Sequence, residues 1–109
     1  MRCYMEQLLN FLSNLRGDVF KLLPMKEDEM AGVDNHLSDY IEALLINLEG
    51  ATTTYPILAN QKQYLYVINN LQYASKHPVD FKKWRKIVLN STRNIDNLYV
   101  AYGGVKNDK

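Results

Sequence analysis

The fold of this chain is decided by residues 81–102, FKKWRKIVLNSTRNIDNLYVAY. Apolar side chains recur here every three or four residues, which is the spacing of one face of an α-helix. Asp80 is a good N-cap before this stretch, and Gly103-Gly104 favours a helix end after it. We predict a helix over residues 80–102 whose inner face is Phe81, Trp84, Ile87, Val88, Ile95, Leu98, Tyr99 and Tyr102.

Three earlier segments show the same helical periodicity. The predicted helices span residues 3–23, 34–49 and 56–75. Their predicted inner faces are Tyr4, Leu8, Phe11, Leu12, Leu15, Val19 and Leu22 in the first, Leu37, Tyr40, Ile41, Leu44, Leu45 and Leu48 in the second, and Ile57, Tyr64, Leu65, Ile68 and Leu71 in the third.

Local signals predict where these helices begin and end. Pro24 should close the first helix, because the residue before a proline avoids the helical conformation. Asp34 should cap the start of the second helix, and Gly50 should cap its end. Pro56 suits the first turn of the third helix. Residues 25–33 and 52–54 are therefore expected to be connections.

Four amphipathic helices predict an all-α protein, a single-domain antiparallel four-helix bundle over residues 1–104 with a flexible tail at 105–109. A chain of 109 residues suits one domain. The single cysteine excludes an intramolecular disulfide, no apolar run reaches the ~20 residues of a membrane helix, and no signal peptide is evident. We expect a soluble, cytoplasmic protein without a membrane span.

The net charge of +1 conceals an uneven distribution. Residues 1–49 hold nine acidic and four basic side chains, whereas residues 50–109 hold nine basic and three acidic ones. This division has two interpretations. The helices of opposite charge pair with one another inside the bundle, or the molecule presents two binding surfaces of opposite sign.

No set of residues is spaced for catalysis or for metal binding. His36 and His77 are expected to be satisfied by neighbouring groups or solvated, and the acidic run 27–29 lacks the apolar setting that separates carboxyl pKa values in catalytic pairs. Glycines that cradle phosphate follow a strand and open a helix, but Gly50 and Gly103-Gly104 are expected to end helices. We expect no catalytic residues, no metal site, no cofactor and no enzymatic activity.

The outer faces of the second and third helices carry apolar and aromatic side chains. Ile46 lies among three carboxylates, an arrangement that occurs both as an ordinary surface and as a binding hot spot with a charged rim. Tyr66 and Tyr73 either form an interface or pack against a loop or the first helix. The predicted protein-binding residues are Asp39, Glu42, Ile46, Glu49, Lys62, Tyr66, Asn69 and Tyr73.

The outer face of the last helix is basic, with further basic residues nearby at Lys76, Lys83 and Arg85. Basic side chains beside asparagines can contact phosphates and base edges, although a helix–turn–helix signature is absent. A solvated face, a nucleic-acid site and a site for an acidic protein remain open. The residues of this face are Lys82, Lys86, Asn90, Arg93 and Asn97.

The run from Phe81 to Asp96 resembles a helix of modification-dependent restriction nucleases of the GmrSD type in the spacing of Trp84, Asn90 and Asn94. The nuclease motifs are missing, so the resemblance implies no activity. In size and helix count the chain is also similar to small bacteriocin-immunity bundles, with which it shares no motif.

We therefore expect a non-enzymatic helical bundle that binds another protein. Proteins of this size and class often serve as inhibitors, immunity proteins or adaptors, including those of phages and mobile elements. The competing hypothesis is a nucleic-acid-binding regulator that uses the last helix. The sequence leaves open whether two copies associate.

Overall fold

The computed structural model describes residues 2–77 and 79–105, with side chains from residue 4 onward. Every regular element in these ranges is helical and none is a strand, so the predicted all-α class is confirmed. Of the predicted tail at 105–109, only Val105 is described, and residues 106–109 lie outside the described residues. The elements are α1 (Arg2–Phe20), α2 (Leu22–Met30), α3 (Leu37–Thr54), a 3₁₀ helix (Pro56–Asn60), α4 (Lys62–Lys76) and α5 (Phe81–Ala101).

The predicted ends of α5 are confirmed. The Asp80 carboxylate accepts a hydrogen bond from the backbone N–H of Lys83 at 2.8 Å, as an N-cap does. After the helix, Gly103 adopts a φ of 101°. Backbone bonds from Gly104 N–H to Tyr99 C=O at 2.8 Å and from Gly103 N–H to Val100 C=O at 3.0 Å complete a Schellman motif.

Pro24 does not end the helical structure, contrary to the prediction. It lies in the first turn of α2, where a backbone N–H has no partner within the helix, so proline removes no hydrogen bond from α2 itself. Because proline has no N–H, Pro24 donates no hydrogen bond to the Phe20 carbonyl. α1 ends at Phe20, and α2 begins at Leu22 after the single residue Lys21. The predicted connection at 25–33 is therefore wrong over most of its length. α2 continues through the acidic run and ends before Gly32, whose φ is 92°.

The predicted limits of the second helix are also wrong, since α3 begins and ends later. The N-cap position is His36, with a left-handed φ of 54°, and the Asp34 carboxylate accepts a bond from the His36 N–H at 3.3 Å. Gly50 does not cap the helix but lies inside it, and the predicted connection at 52–54 forms the last turn. At that end the Thr52 hydroxyl donates to the Glu49 carbonyl at 2.7 Å.

The predicted third helix is divided at Gln61, whose backbone is extended. The residues before this break form the 3₁₀ helix, which has three residues per turn, so an α-helical wheel drawn through both pieces assigns the wrong face. Ile57 and Leu65 were expected in the core and are each 40% exposed. The buried residues that replace them are Leu58, Val67 and Ala74.

Trp84 and Tyr64 occupy the centre of the core. Trp84 is 3% exposed, and its indole N–H donates to the Leu22 carbonyl at 3.0 Å. Tyr64 is fully buried, and its hydroxyl donates to the Leu48 carbonyl. Ser91 and Thr92 are buried without having been predicted. The expected core residues that prove only half-buried are Tyr4, Phe11, Tyr40, Leu45, Phe81, Ile87, Tyr99 and Tyr102.

The helices pack around α5, which contacts α1, α4 and α2. α3 packs against α4, the 3₁₀ helix and α2, whereas α1 and α3 are not among the closely packed pairs. Within the described ranges, no helix combines the length and the apolar composition needed to cross a membrane. The packing leaves one side of the molecule open between α1 and α3.

Candidate protein-binding surface

The predicted α3 residues all lie on the outside of the molecule. Asp39, Glu42 and Glu49 are exposed carboxylates, and Ile46 between them is 64% exposed. This exposure follows from the helical repeat, because Ile46 lies opposite the buried residues Ile41, Leu44 and Leu48. α3 therefore presents an apolar side chain within an acidic rim.

The predicted α4 residues, Lys62, Tyr66, Asn69 and Tyr73, are exposed as well. The two helix faces meet where the Gln72 side-chain amide donates to the Glu49 carboxylate at 3.1 Å. We call the eight predicted residues on these two helices the α3–α4 face. Tyr66 is 46% exposed and offers its ring to solvent.

Tyr73 has a different setting from Tyr66. Its ring stacks on His77 with centroids 4.2 Å apart, and the Lys83 ammonium lies 4.9 Å from the ring centroid. Lys83 Nζ also donates to the Tyr73 hydroxyl at 3.3 Å. Tyr73 therefore packs at the junction of α4 and α5 and not against α1.

The predicted basic residues of α5 are also on the outside. Lys82, Lys86, Arg93 and Asn97 are exposed, while Asn90 is half-buried. The backbone carbonyl of Asn90 accepts a bond from the Asn94 amide at 2.8 Å. We call these five residues the α5 face. None of its three basic side chains forms an ion pair with a described residue.

In the described ranges, no ion pair joins an acidic residue of the first half of the sequence to a basic residue of the second half. The ion pair that joins the two halves is Arg16–Asp96, with 2.7 Å between Nε and Oδ1, and its basic member comes from the acidic half. The other pairs are local, such as Lys26–Glu29 at 3.1 Å. Oppositely charged helices do pack together, since acidic α3 contacts basic α4 and acidic α2 contacts basic α5, but among the described residues they do so without ion pairs between their excess charges.

A groove of about 610 Å³ runs between α1 and α3. Buried Leu15 and Leu44 contribute to its apolar lining, and Gly50 and Ala51 make the α3 wall shallow. Its charged lining is a single carboxylate, Asp18. We call it the α1–α3 groove; its lining is Phe11, Asn14, Leu15, Asp18, Leu44, Ile46, Asn47, Gly50, Ala51, Thr54 and Tyr55.

Tyrosine side chains connect α1 and α3 at the two ends of the groove. At one end the Tyr40 hydroxyl donates to the Asp18 carbonyl at 2.7 Å, and burial together with the Asp18 carboxylate raises the pKa of Tyr40. At the other end the ring of Tyr55 lies 5.6 Å from those of Tyr4 and Phe11. These contacts connect α1 and α3 at both ends of the groove and keep the two helices apart between those ends.

The sequence did not indicate most of the groove residues. Gly50 was expected to end a helix, and Phe11 was expected inside the core. The pair Gly50-Ala51 could have indicated the groove, because small side chains leave a depression on the surface of a helix. That signal has this meaning only if the helix continues beyond Gly50, which local sequence did not indicate.

Both histidines are exposed and have polar neighbours, in agreement with the prediction of satisfied or solvated side chains. The Nδ1 atom of His36 lies 3.9 Å from carboxylate oxygens of Asp34 and of Asp39. His77 stacks on Tyr73, and its Nδ1 lies 3.1 Å from the Tyr73 carbonyl. Among the described residues, no three His, Cys, Asp or Glu side chains are grouped to hold a metal ion.

No protein-family model, curated protein sequence or solved structure matches this chain. The resemblances to restriction-nuclease and bacteriocin-immunity helices thus gain no support. We therefore infer function from the surfaces described above.

Proposed function

We propose that this protein acts by binding another protein through the α3–α4 face, without catalysing a reaction. The observation that carries this proposal is Ile46, a largely exposed β-branched side chain surrounded by carboxylates. Burying such a side chain in a complex removes apolar area from water, and a polar rim around it excludes solvent. An inhibitor, immunity or adaptor role fits this surface and the size of the chain.

Tyr66 and Tyr73 extend the same face onto α4. Tyrosine adds a large apolar area with few rotatable bonds, which makes it frequent among residues that dominate binding energy. Tyr73 already contacts His77 and Lys83, so binding of a partner to it would cost little additional side-chain entropy.

Substitutions on the α3–α4 face test the proposal. Ile46→Asp, and separately Tyr66→Ala combined with Tyr73→Ala, should each weaken capture of the partner by at least ~2 kcal/mol. Capture from extracts, with mass spectrometry to identify the bound protein and nuclease treatment of a parallel sample, gives the readout. All three residues are exposed, so circular dichroism should show unchanged folding.

Val100→Asp provides the matched control for Ile46→Asp. Val100 is also an exposed β-branched residue on a helix, but it lies on α5 outside the α3–α4 face. The control should capture the partner as the unmodified protein does. Equal capture by all the variants would show that the α3–α4 face is not the binding site of the partner.

Nucleic-acid binding through the α5 face is the second candidate. It is supported by the exposed Lys82, Lys86 and Arg93, which form no ion pair with a described residue. A surface that contacts ~4–5 phosphates gives a slope of about −4 for log affinity against log salt. Replacing the three residues by glutamine should flatten the slope by about 3, whereas replacing Asn90 and Asn97 should alter sequence preference.

The protein-binding proposal predicts only weak, micromolar, sequence-independent binding of duplexes at physiological salt. Nanomolar, sequence-dependent binding that is lost in the triple glutamine variant would reverse the ranking of the two functions.

An antiparallel arrangement of four helical segments, with α1 and α2 counted as one bent segment, is part of the proposal. Two contacts support it: Arg16 meets Asp96 late in α5, whereas Leu22 meets Trp84 early in α5. A cytoplasmic location is proposed as well, because a chain with one cysteine has no intramolecular disulfide to require an oxidising compartment.

A further inference from the structure

We propose that the α1–α3 groove binds a basic amphipathic helix of the partner protein. This inference rests on the proposed function, since it assigns the partner's chemistry and adds the groove to the α3–α4 face. Ile46 belongs to both, so the two surfaces are continuous. A partner that covers Ile46 therefore also reaches the groove.

The position of the groove indicates a helix as its occupant. α5 packs against α1 and α4, and α4 packs against α3, but α1 and α3 are not closely packed. A helix laid between these two would contact them as neighbouring helices of a bundle do. Strand addition needs an exposed sheet edge, and residues 2–77 and 79–105 form no sheet.

The lining of the groove indicates what that helix must insert. Leu15, Leu44 and Ala51 are buried apolar residues, and no lysine or arginine is present in the lining. Peptide helices that bind in grooves place apolar anchors at positions i, i+3 or i+4, and i+7. A volume of about 610 Å³ between two helices has room for such anchors.

The charges around the groove indicate that the partner helix is basic. α3, which forms one wall, carries the exposed carboxylates Asp39, Glu42 and Glu49 and no lysine or arginine. Asp18 on the α1 wall adds a further carboxylate, 3.9 Å from the exposed ammonium of Lys21. Lysine or arginine beside the apolar anchors would meet this acidic surface, whereas acidic residues would be repelled.

Three synthetic peptides of ~14 residues, about 21 Å long as helices, test the inference. The first carries leucines at the i, i+4, i+7 spacing and lysines elsewhere, the second replaces each lysine by glutamate, and the third scrambles the first so that its leucines share no face. Fluorescence anisotropy with the purified protein should show binding of the first peptide, weakened by salt, and much weaker binding of the other two.

Gly50 and Gly17 offer matched variants that separate the groove from the rest of the surface. Both glycines are exposed within helices, and a Cβ at either would meet nothing within 4 Å, but Gly17 is not part of the groove lining. Gly50→Trp should obstruct the groove and weaken binding of the first peptide roughly tenfold or more, whereas Gly17→Trp should leave its affinity unchanged. Circular dichroism checks that both variants fold.

Ile46→Asp separates failure of this inference from failure of the proposed function. Binding that is weakened by Ile46→Asp but not by Gly50→Trp would overturn the groove inference and leave the α3–α4 face in place. Binding weakened by Gly50→Trp but not by Ile46→Asp would support the groove and count against that face.

The remaining outcomes overturn the inference. Equal binding of the first and scrambled peptides would show attraction by charge alone, and equal binding of the lysine and glutamate peptides would contradict a basic partner. Absence of binding by the lysine peptide would exclude this class of occupant. A dimer of the unmodified protein that Gly50→Trp abolishes, measured by sedimentation, would make a second copy the occupant.

Discussion

α1 meets α5 and α3 in different ways. Toward α5 it packs closely, and the Arg16–Asp96 ion pair at 2.7 Å joins the two helices beside a smaller cavity of about 290 Å³. Toward α3 it is connected by Tyr40 at one end and Tyr55 at the other, with a groove of about 610 Å³ between them. The same helix therefore contributes to a packed interior on one side and to an open surface on the other.

Side-chain size and placement decide whether two amphipathic helices of this protein close on each other. On the α5 side, Ile95 and Leu98 are bulky buried groups close in sequence to Asp96, which pairs with Arg16. On the α3 side, the wall includes Gly50 and Ala51, while the large aromatic groups lie at the ends of the groove. The aromatic groups at the ends keep the helices apart, and the small residues between them leave the groove unfilled.

A substitution in the buried core should affect stability most. Trp84→Ala should lower the free energy of unfolding by roughly 3–5 kcal/mol, because it removes a large buried side chain and its hydrogen bond to Leu22. Asn47→Ala in the open groove should change it by less than about 0.5 kcal/mol. Urea denaturation of both variants gives the comparison; equal effects would contradict the division into a packed core and an open groove.

Trp84→Phe keeps this prediction informative if Trp84→Ala fails to fold. Phenylalanine retains most of the apolar ring but not the indole N–H, so this variant should fold and should be less destabilised than Trp84→Ala. An unperturbed melting curve for Trp84→Ala would show that Trp84 is not a core residue.

The second prediction concerns buried and half-buried tyrosines. Burial raises the pKa of Tyr64 far above its ordinary value of about 10, and burial also raises the pKa of Tyr102. Above pH ~10 the unfolded chain releases the Tyr64 proton while the folded chain keeps it, so stability falls as the pH rises. One such proton contributes a slope of up to about 1.4 kcal/mol per pH unit.

Tyr64→Phe should make this alkaline loss of stability less steep. At neutral pH the variant should lose about 1 kcal/mol, because the hydrogen bond to the Leu48 carbonyl is removed. Urea denaturation at pH 8 and at pH 11 measures both effects. An alkaline slope identical to that of the unmodified protein would show that Tyr64 ionises as readily in the folded state as in the unfolded chain.

Two glycines should give small effects of opposite sign. Gly50 lies inside α3, and a Cβ at this position would meet only open space, so Gly50→Ala should raise stability by about 0.5–1 kcal/mol. Gly103 has a φ of 101°, so Gly103→Ala should lower stability by about 1 kcal/mol. Thermal denaturation gives the comparison. If Gly50→Ala destabilised the protein, this result would contradict the position of Gly50 inside α3 and would favour the predicted helix cap.

The amino-acid sequence was sufficient to predict the helical class, the bounds of α5 and the exposure of the α3–α4 and α5 faces. These features follow from apolar periodicity and from local caps at Asp80 and Gly103, which act within a few residues of chain. Most residues of the inner faces of α1, α3 and α5 were identified for the same reason.

Tertiary packing was needed to establish where the remaining helices continue and which of them lie together. Pro24 is compatible with a helix end and with a first helical turn, and Gly50 is compatible with a cap and with a helix interior. The local free-energy difference between these alternatives is small, so packing against distant residues selects between them. The α1–α3 groove was therefore not predictable, because it depends on α3 passing Gly50 and on Tyr40 and Tyr55 reaching α1.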